Sequence, residues 1–217
     1  MKKLIVITTH NGYSFIENLL SDIKSFKIKN EEICIVDNGS DKEEHFKYLN
    51  KLKKDNIIIL NNPKGGYNLG GYKYALDHLK SDIWFLIQDS IRIKQDIFSR
   101  VEPLLTDNNV YSFLTFPYNI YDSHDDKRLT EQWYGTTVYS KGAFPSSYFA
   151  KDEVLQKVKN FWIFPKNKIE AMAMERGASI IFDRFNIKII GLDMYNSSRT
   201  SDPNGYPFFY KIYGSRS

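Results

Sequence analysis

IWFLIQDSIR, Ile83–Arg92, runs large apolar residues straight into Gln88-Asp89-Ser90 with no turn residue between them. A continuous apolar run of this length predicts a strand buried on both faces, the pattern of a parallel sheet with helices on each side. An acid at the carboxyl end of such a strand is costly to desolvate unless it is held for a purpose. In open α/β sheets the ligand crevice lies outside those carboxyl ends. The rim around Asp89 is therefore where chemistry is expected.

Upstream, the same plan recurs. Leu4–Thr8 (LIVIT) predicts a short buried strand ending in the turn cluster Thr9-His10-Asn11-Gly12. Ser14 and Glu17 have capping-box spacing, and Phe15, Ile16, Leu19, Leu20, Ile23 and Phe26 follow at helical spacing. Ile33–Val36 (ICIV) ends in Asp37-Asn38-Gly39-Ser40. Ser40 and Glu43 give a second capping box before a helix with Phe46, Tyr48, Leu49 and Leu52 on its apolar side. Ile57–Leu60 (IIIL) leads through Asn61-Asn62-Pro63-Lys64-Gly65-Gly66 into a helix from about Leu69 to Leu79. Strands alternating with helical patterns imply βαβ units with right-handed crossovers, hence an α/β fold around a mostly parallel sheet.

Downstream of Arg92 the texture changes. Ile97, Val101, Leu104 and Leu105 suggest a helix interrupted by Pro103, and Val110–Phe116 predicts a strand. Asp122–Arg128 (DSHDDKR) reads as a polar, mobile loop. Thr136–Tyr139 and Ser146–Phe149 read as strands, divided by a turn at Lys141-Gly142 and Pro145. Asp152–Phe161 and Lys168–Phe185 are helix candidates, Ile187–Leu192 is a last strand, and the tail from Tyr195 reads as a folded-over loop. Residues 1–217 are taken as one domain, a first half (1–95) and a second half (96–217), with no more than a seam between them.

Composition excludes several classes. The net charge of +4 is mild, without the dense basic stripe that nucleic-acid binding needs. The single Cys34 sits inside an apolar strand, so neither a disulfide framework nor a thiol metal cluster is expected. His10, His45, His78 and His124 never cluster at ligand spacing, which argues against zinc; His45 and His78 lie in helical patterns and read as surface. MKKLIVITTH has too short an apolar run for a signal peptide. No segment approaches the ~20 apolar residues that span a bilayer. A cytoplasmic protein without a transmembrane segment is expected, with contact at a membrane surface left open.

A parallel sheet would bring three strand ends to one rim: Thr8, Thr9, His10 and Asn11; Asp37, Asn38 and Gly39; Gln88, Asp89 and Ser90. Asp37 can accept from a base N–H or a ribose hydroxyl, Thr8 and Asn11 can satisfy a base edge, and Asp89 can face a divalent cation that bridges a diphosphate. The competing reading is that Asp37 and Asn38 do no more than shape a turn. The run Gly65-Gly66-Tyr67-Asn68-Leu69-Gly70-Gly71 lets backbone approach a ligand at a helix start. It is not a P-loop, since no GK[ST] follows, and its place after the third strand is wrong for a dinucleotide fingerprint. A plain glycine-rich turn is the competing reading.

Taken in order, ITTHNGYSFIENLL, EEICIVDNGSDKE, NNPKGGYNLGGYKYAL and IWFLIQDSIRI resemble the nucleotide-sugar half of inverting family 2 glycosyltransferases with the GT-A fold. There the first loop reads roughly P-T-Y-N, the second strand ends D-D/N-G-S, and the fourth ends D-x-D. The resemblance covers about the first 95 residues. It implies that Thr8, Thr9, His10, Asn11, Asp37 and Asn38 hold the nucleoside, that Gly66, Asn68, Gly70 and Gly71 lie beside base and ribose, and that Gln88, Asp89 and Ser90 occupy the D-x-D position. It implies a Mn2+ or Mg2+ ion at Asp89 and Ser90. Here the chain departs from the pattern, because Gln88 and Ser90 replace both outer acids, and Ser90 is a poor ligand for a hard cation.

The second half resembles the acceptor lobe of that family less closely. The family's general base starts a helix in this region, and Glu170 matches it by position, Glu175 by its spacing to the next strand. The competing readings are the third-position partner of an Asn167 cap for Glu170 and a surface ion pair for Glu175. Trp133 and Tyr134 are the first candidates for stacking on an acceptor sugar. Arg199, Lys211 and Arg216 are candidates to neutralise the leaving diphosphate. The resemblance thus implies transfer of a hexose or deoxyhexose from a UDP-, dTDP- or GDP-linked sugar to a glycan or lipid-linked hydroxyl, with inversion. A non-catalytic nucleotide-sugar or glycan-binding module and a nucleotidyltransferase are the alternatives.

Overall fold

The four apolar runs of the first half form parallel strands β1 (Lys3–Thr9), β2 (Glu31–Asp37), β3 (Ile58–Asn61) and β4 (Ile83–Gln88), in the order β3-β2-β1-β4. The computed structural model describes residues 1–26, 31–117, 121–194 and 206–212. Its register aligns the carboxyl ends of these strands, with Thr9 beside Asp37 and Thr8 beside Gln88. The connections are α1 (Tyr13–Ser25), α2 (Glu43–Lys53) and α3 (Tyr67–His78).

Side chains alternate across a strand, so a run that is apolar at every position needs a covering layer on each face. One face sends Leu4, Val6, Trp84 and Leu86 into a core with Leu69, Tyr72 and Leu76 of α3. The other sends Ile5, Ile7, Phe85 and Ile87 into a core with Ile16, Leu19 and Ile23 of α1. Each of these strand side chains is fully buried, a stabilisation of about 1.5–3 kcal/mol apiece. That double burial explains why no polar residue appears in the run before Gln88.

The second half continues the same sheet. β8 (Ser147–Lys151) pairs antiparallel with the free side of β4, and β6 (Asn109–Pro117) pairs antiparallel with β8. On β6 lie β7 (Lys141–Ala143), antiparallel, and β9 (Lys188–Met194), parallel. Around these pack α4 (Phe98–Val101), α5 (His124–Tyr134), α6 (Asp152–Val158) and α7 (Lys168–Arg184). A separate antiparallel pair, β5 (Ile91–Ile93) with β10 (Phe209–Lys211), follows directly on β4.

Several local expectations are corrected. α1 begins at Tyr13 with Gly12 as N-cap, and no side chain caps it, so Ser14 and Glu17 form no capping box. α2 takes Lys42 as N-cap, because the Ser40 hydroxyl is already committed to Asp37 and to the backbone N–H of Asn11. DSHDDKR is a helix start: the Ser123 hydroxyl and the Asp126 carboxylate exchange hydrogen bonds with each other's backbone in a capping box. Thr136–Tyr139 forms no strand, whereas Phe209–Lys211, expected as loop, does. His45 is fully buried rather than on the surface.

Candidate active site

The rim is built by extending each strand with one more hydrogen bond. Asn38 N–H donates to the Thr9 carbonyl at 2.9 Å, Asp89 N–H to Thr8 at 3.1 Å and Asn62 N–H to Asp37 at 2.8 Å. Asn38 then ties the glycine loop down. Its Nδ2 donates to the Tyr67 carbonyl (2.8 Å), and its Oδ1 accepts from Asn62 Nδ2 (2.9 Å). Gly65 and Gly66 turn the loop in the left-handed region, at φ +63° and +91°. A Cβ at Gly71 would lie 2.6 Å from Thr8 Cγ2, and one at Gly70 would lie 2.5 Å from the Gly65 carbonyl oxygen. Those two glycines let α3 sit against the rim, and they do not line the cleft above it.

Above the rim opens a cleft of ≈ 590 Å³, ample for a nucleotide-sized ligand. Thr8, Thr9, His10, Asn38, Gly66, Tyr67, Asn68 and Gln88 line its polar end. Ile91, Leu114, Phe144, Pro145, Ala171 and Met172 line the rest, with Ser146, Lys168, Glu175 and Lys211 as its other polar members. The sequence alone singles out neither Tyr67 as a wall residue nor Leu114 and Met172. Tyr67 had a signal, since it stands inside the glycine run. The other two come from the second half, where nothing local marks which side of an element meets the cleft.

Glu175 is the carboxylate that enters this cleft. Burial pushes its pKa up to about 7, against the lowering pull of Arg176 and Lys211. Arg176 Nη1 lies 3.6 Å from Glu175 Oε2, and Arg176 Nη2 donates to Asp122 Oδ2 at 2.8 Å. The guanidinium, 1% exposed, sits 4.5 Å above the Phe116 ring. Glu170 is used otherwise. Its carboxylate accepts from Lys166 N–H (2.8 Å) and from Asn167 Nδ2 (3.1 Å), and its own N–H donates to the Asn167 cap. It closes the first turn of α7 and does not line the cleft.

The remaining predicted site residues divide. Asn11 ties two loops together: its Oδ1 accepts from Asp41 and Lys42 N–H, both at 3.1 Å. Asp37 is buried below the rim, where Ser40 Oγ donates to it and His45 Nε2 stands 3.4 Å away. Burial works to raise the Asp37 pKa, but the His45 and Ser40 contacts prevail and hold it below the usual carboxylate range. Tyr134, expected at the acceptor, is a core residue. It is 5% exposed, its hydroxyl donates to the Phe161 carbonyl, and a Cβ at Gly177 would strike its ring. Trp133 packs against the same core and does not line the cleft. Lys211 lines it, while Arg199 and Arg216 lie outside the described residues.

The sequence profile of glycosyl transferase family 2 matches residues 4–169. The chain belongs to that family. Its fold is the GT-A fold of known glycosyltransferases. S. aureus TarS 1–349 superposes with a TM-score of 0.58 at 12% identity, covering 97% of this chain and 60% of that one. The same protein with UDP-GlcNAc gives 0.57 at 13%, covering 100% and 60%. The mannosyltransferase PcManGT from Pyrobaculum calidifontis, in complex with GDP-Man and Mn2+, gives 0.60 at 13%, covering 88% and 54%. This family 2 chain thus spans between half and two thirds of those structures. No curated protein matches it by sequence.

A divalent cation of the kind bound by PcManGT meets a poor donor set in this family 2 chain. Asp89 is fully buried and turned into the β1–α1 turn, where Thr9 Oγ1 donates to its Oδ2 at 2.7 Å. A Cβ at Gly12 would come within 2.2 Å of that same oxygen. Ser90 is buried and neutral, and Gln88 is the one residue of the three that lines the cleft. Among the described residues no three His, Cys, Asp or Glu side chains are grouped to hold a metal. As placed here, Asp89 and Ser90 fit a hard cation poorly: such ions want several carboxylate or carbonyl oxygens, and the Asp89 carboxylate braces a turn.

Proposed function

We propose that this family 2 chain transfers a hexose or deoxyhexose from a nucleoside-diphosphate sugar to a hydroxyl of a glycan or lipid-linked acceptor, with inversion. The observation that carries the reading is Glu175, a carboxylate that lines the same cleft as Thr8, Thr9 and Gln88, its pKa pushed up to about 7 by burial. A base of that strength takes a proton efficiently at neutral pH. In the step proposed, the acceptor O–H loses its proton to Glu175 and the oxygen bonds to the anomeric carbon. The bond from that carbon to the diphosphate breaks, and the nucleoside diphosphate leaves with the electron pair. Asn38, Asn68, Thr8 and the Gly66–Tyr67 backbone bind the nucleoside, and Asp37 positions that rim from beneath.

UDP-, dTDP- and GDP-sugars offered with a panel of glycan and lipid-linked acceptors test the reading, with NMR of the product's anomeric proton reporting stereochemistry. Glu175→Gln is expected to lower kcat by about 10²–10⁴-fold and to leave nucleotide affinity within about twofold. Retention of configuration, or full turnover by Glu175→Gln, would remove this carboxylate from the mechanism. Nucleotide binding with no diphosphate release from any donor would favour the binding-module alternative.

A further inference from the structure

We propose that Lys211 replaces the divalent cation of metal-dependent relatives, so that this chain binds the donor's diphosphate without a metal. The inference rests on the donor reading above and extends it to how the leaving group's charge is met. At the strand end where a metal-binding acid would stand, the side chain reaching the cleft is the neutral Gln88. Asp89 is buried against Thr9, and Ser90 Oγ is buried too. Among the described residues, a diphosphate entering there meets no pair of carboxylates that could hold a bridging ion.

It meets cations of the chain itself. Lys211 lies on β10, whose register sets it opposite Ile91, and Ile212 N–H donates to the Ser90 carbonyl at 2.8 Å. The backbone that carries the Lys211 side chain is thus tied to the segment that in metal-dependent relatives would present the ion. The strand carrying it is anchored firmly. Phe209 is fully buried, 4.6 Å from the Phe113 ring and stacked at 4.9 Å on Tyr206, and Lys94 N–H donates to the Phe208 carbonyl at 2.8 Å. Lys168, at the start of α7, also lines the cleft. Two lysines match the charge of one divalent ion, and a held ammonium needs no ion to be recruited from solution. Arranged donors of this kind stabilise charge developing on a departing phosphate.

Calorimetric titration of the chain with UDP, GDP and dTDP, each in EDTA and again in Mn2+, tests this, with the free nucleosides run beside them. One nucleoside diphosphate is expected to bind in EDTA with an affinity that Mn2+ changes by less than about threefold. Lys211→Gln should weaken that diphosphate about 10- to 100-fold, the loss of one charge-assisted contact, and leave the nucleoside unchanged. Lys211→Arg should restore most of the loss. A second readout needs no variant: added KCl should weaken the diphosphate in EDTA but not the nucleoside. Binding that appears only with Mn2+, or a Lys211→Gln chain that holds diphosphate as well as the wild type, overturns the inference and leaves the donor reading standing. No binding under either condition sinks both.

Discussion

Glu175 shows how a residue's neighbours decide its use. Its folded pKa, about 7 against 4.5 for a free glutamate, means that the native state keeps a proton the unfolded chain releases. Stability therefore falls as pH rises from about 4.5 to 7 and stays lower above it. Glu175→Gln is expected to melt higher than the wild type at pH 8, by on the order of 2 kcal/mol, and to match it at pH 4; scanning calorimetry at the two pH values checks this. Activity runs the other way, because only the ionised carboxylate accepts a proton. kcat/KM is expected to fall tenfold per pH unit below about 7, and replacing Arg176 by Met should move that limb to higher pH. A limb that stays in place in Arg176→Met would separate the arginine from the base. The chain as letters offers both Glu170 and Glu175 as candidate bases but not the choice between them. Glu170 and Glu175 lie on the same helix, and which is a cap and which a wall depends on the partners that α7 meets.

At the scale of elements, the readable parts were those whose signals are local. The four buried runs, and the turn residues closing them, follow from apolar continuity and glycine placement alone. Ser40 and Ser123 mark the limit. Both have capping spacing or composition, yet Ser40 bridges two loops and Ser123 caps α5, because the first hydroxyl bonds to Asp37 and to Asn11 N–H, whereas the second bonds to the carboxylate and N–H of Asp126, inside its own helix. Trp133 and Tyr134 were misread for a related reason: the face of α5 that carries Tyr134 packs on α7 at Gly177. A Cβ there would stand 1.9 Å from the Tyr134 ring, so Gly177→Ala should cost about 1–3 kcal/mol. Thermal melting should report a fall of several degrees; an unchanged melting point would mean that the α5–α7 contact yields easily.

Across the whole molecule, one sheet runs through both halves, joined where β8 pairs with β4 along five registered positions from Ile83↔Lys151 to Ile87↔Ser147. The cleft draws its walls from both sides of that join. We expect a single cooperative thermal transition, raised by whichever nucleoside diphosphate binds, since a ligand selective for the native state stabilises it by mass action. Two separated transitions by calorimetry would show that the halves unfold independently. The second half's topology was the least legible feature. β6, β8 and β9 meet through long-range pairings, and no short-range pattern encodes which strand is inserted beside which.

The seating of β8 against β4 also bears on how the protein can be handled. Without residues 147–151, the Ile83–Ile87 segment would present a bare row of amides and carbonyls along a strand with no charge in it. Such a margin is a template for self-association. A fragment ending near residue 95 is expected to be recovered in the pellet, and one carrying Trp84→Lys to stay dispersed longer but unfolded.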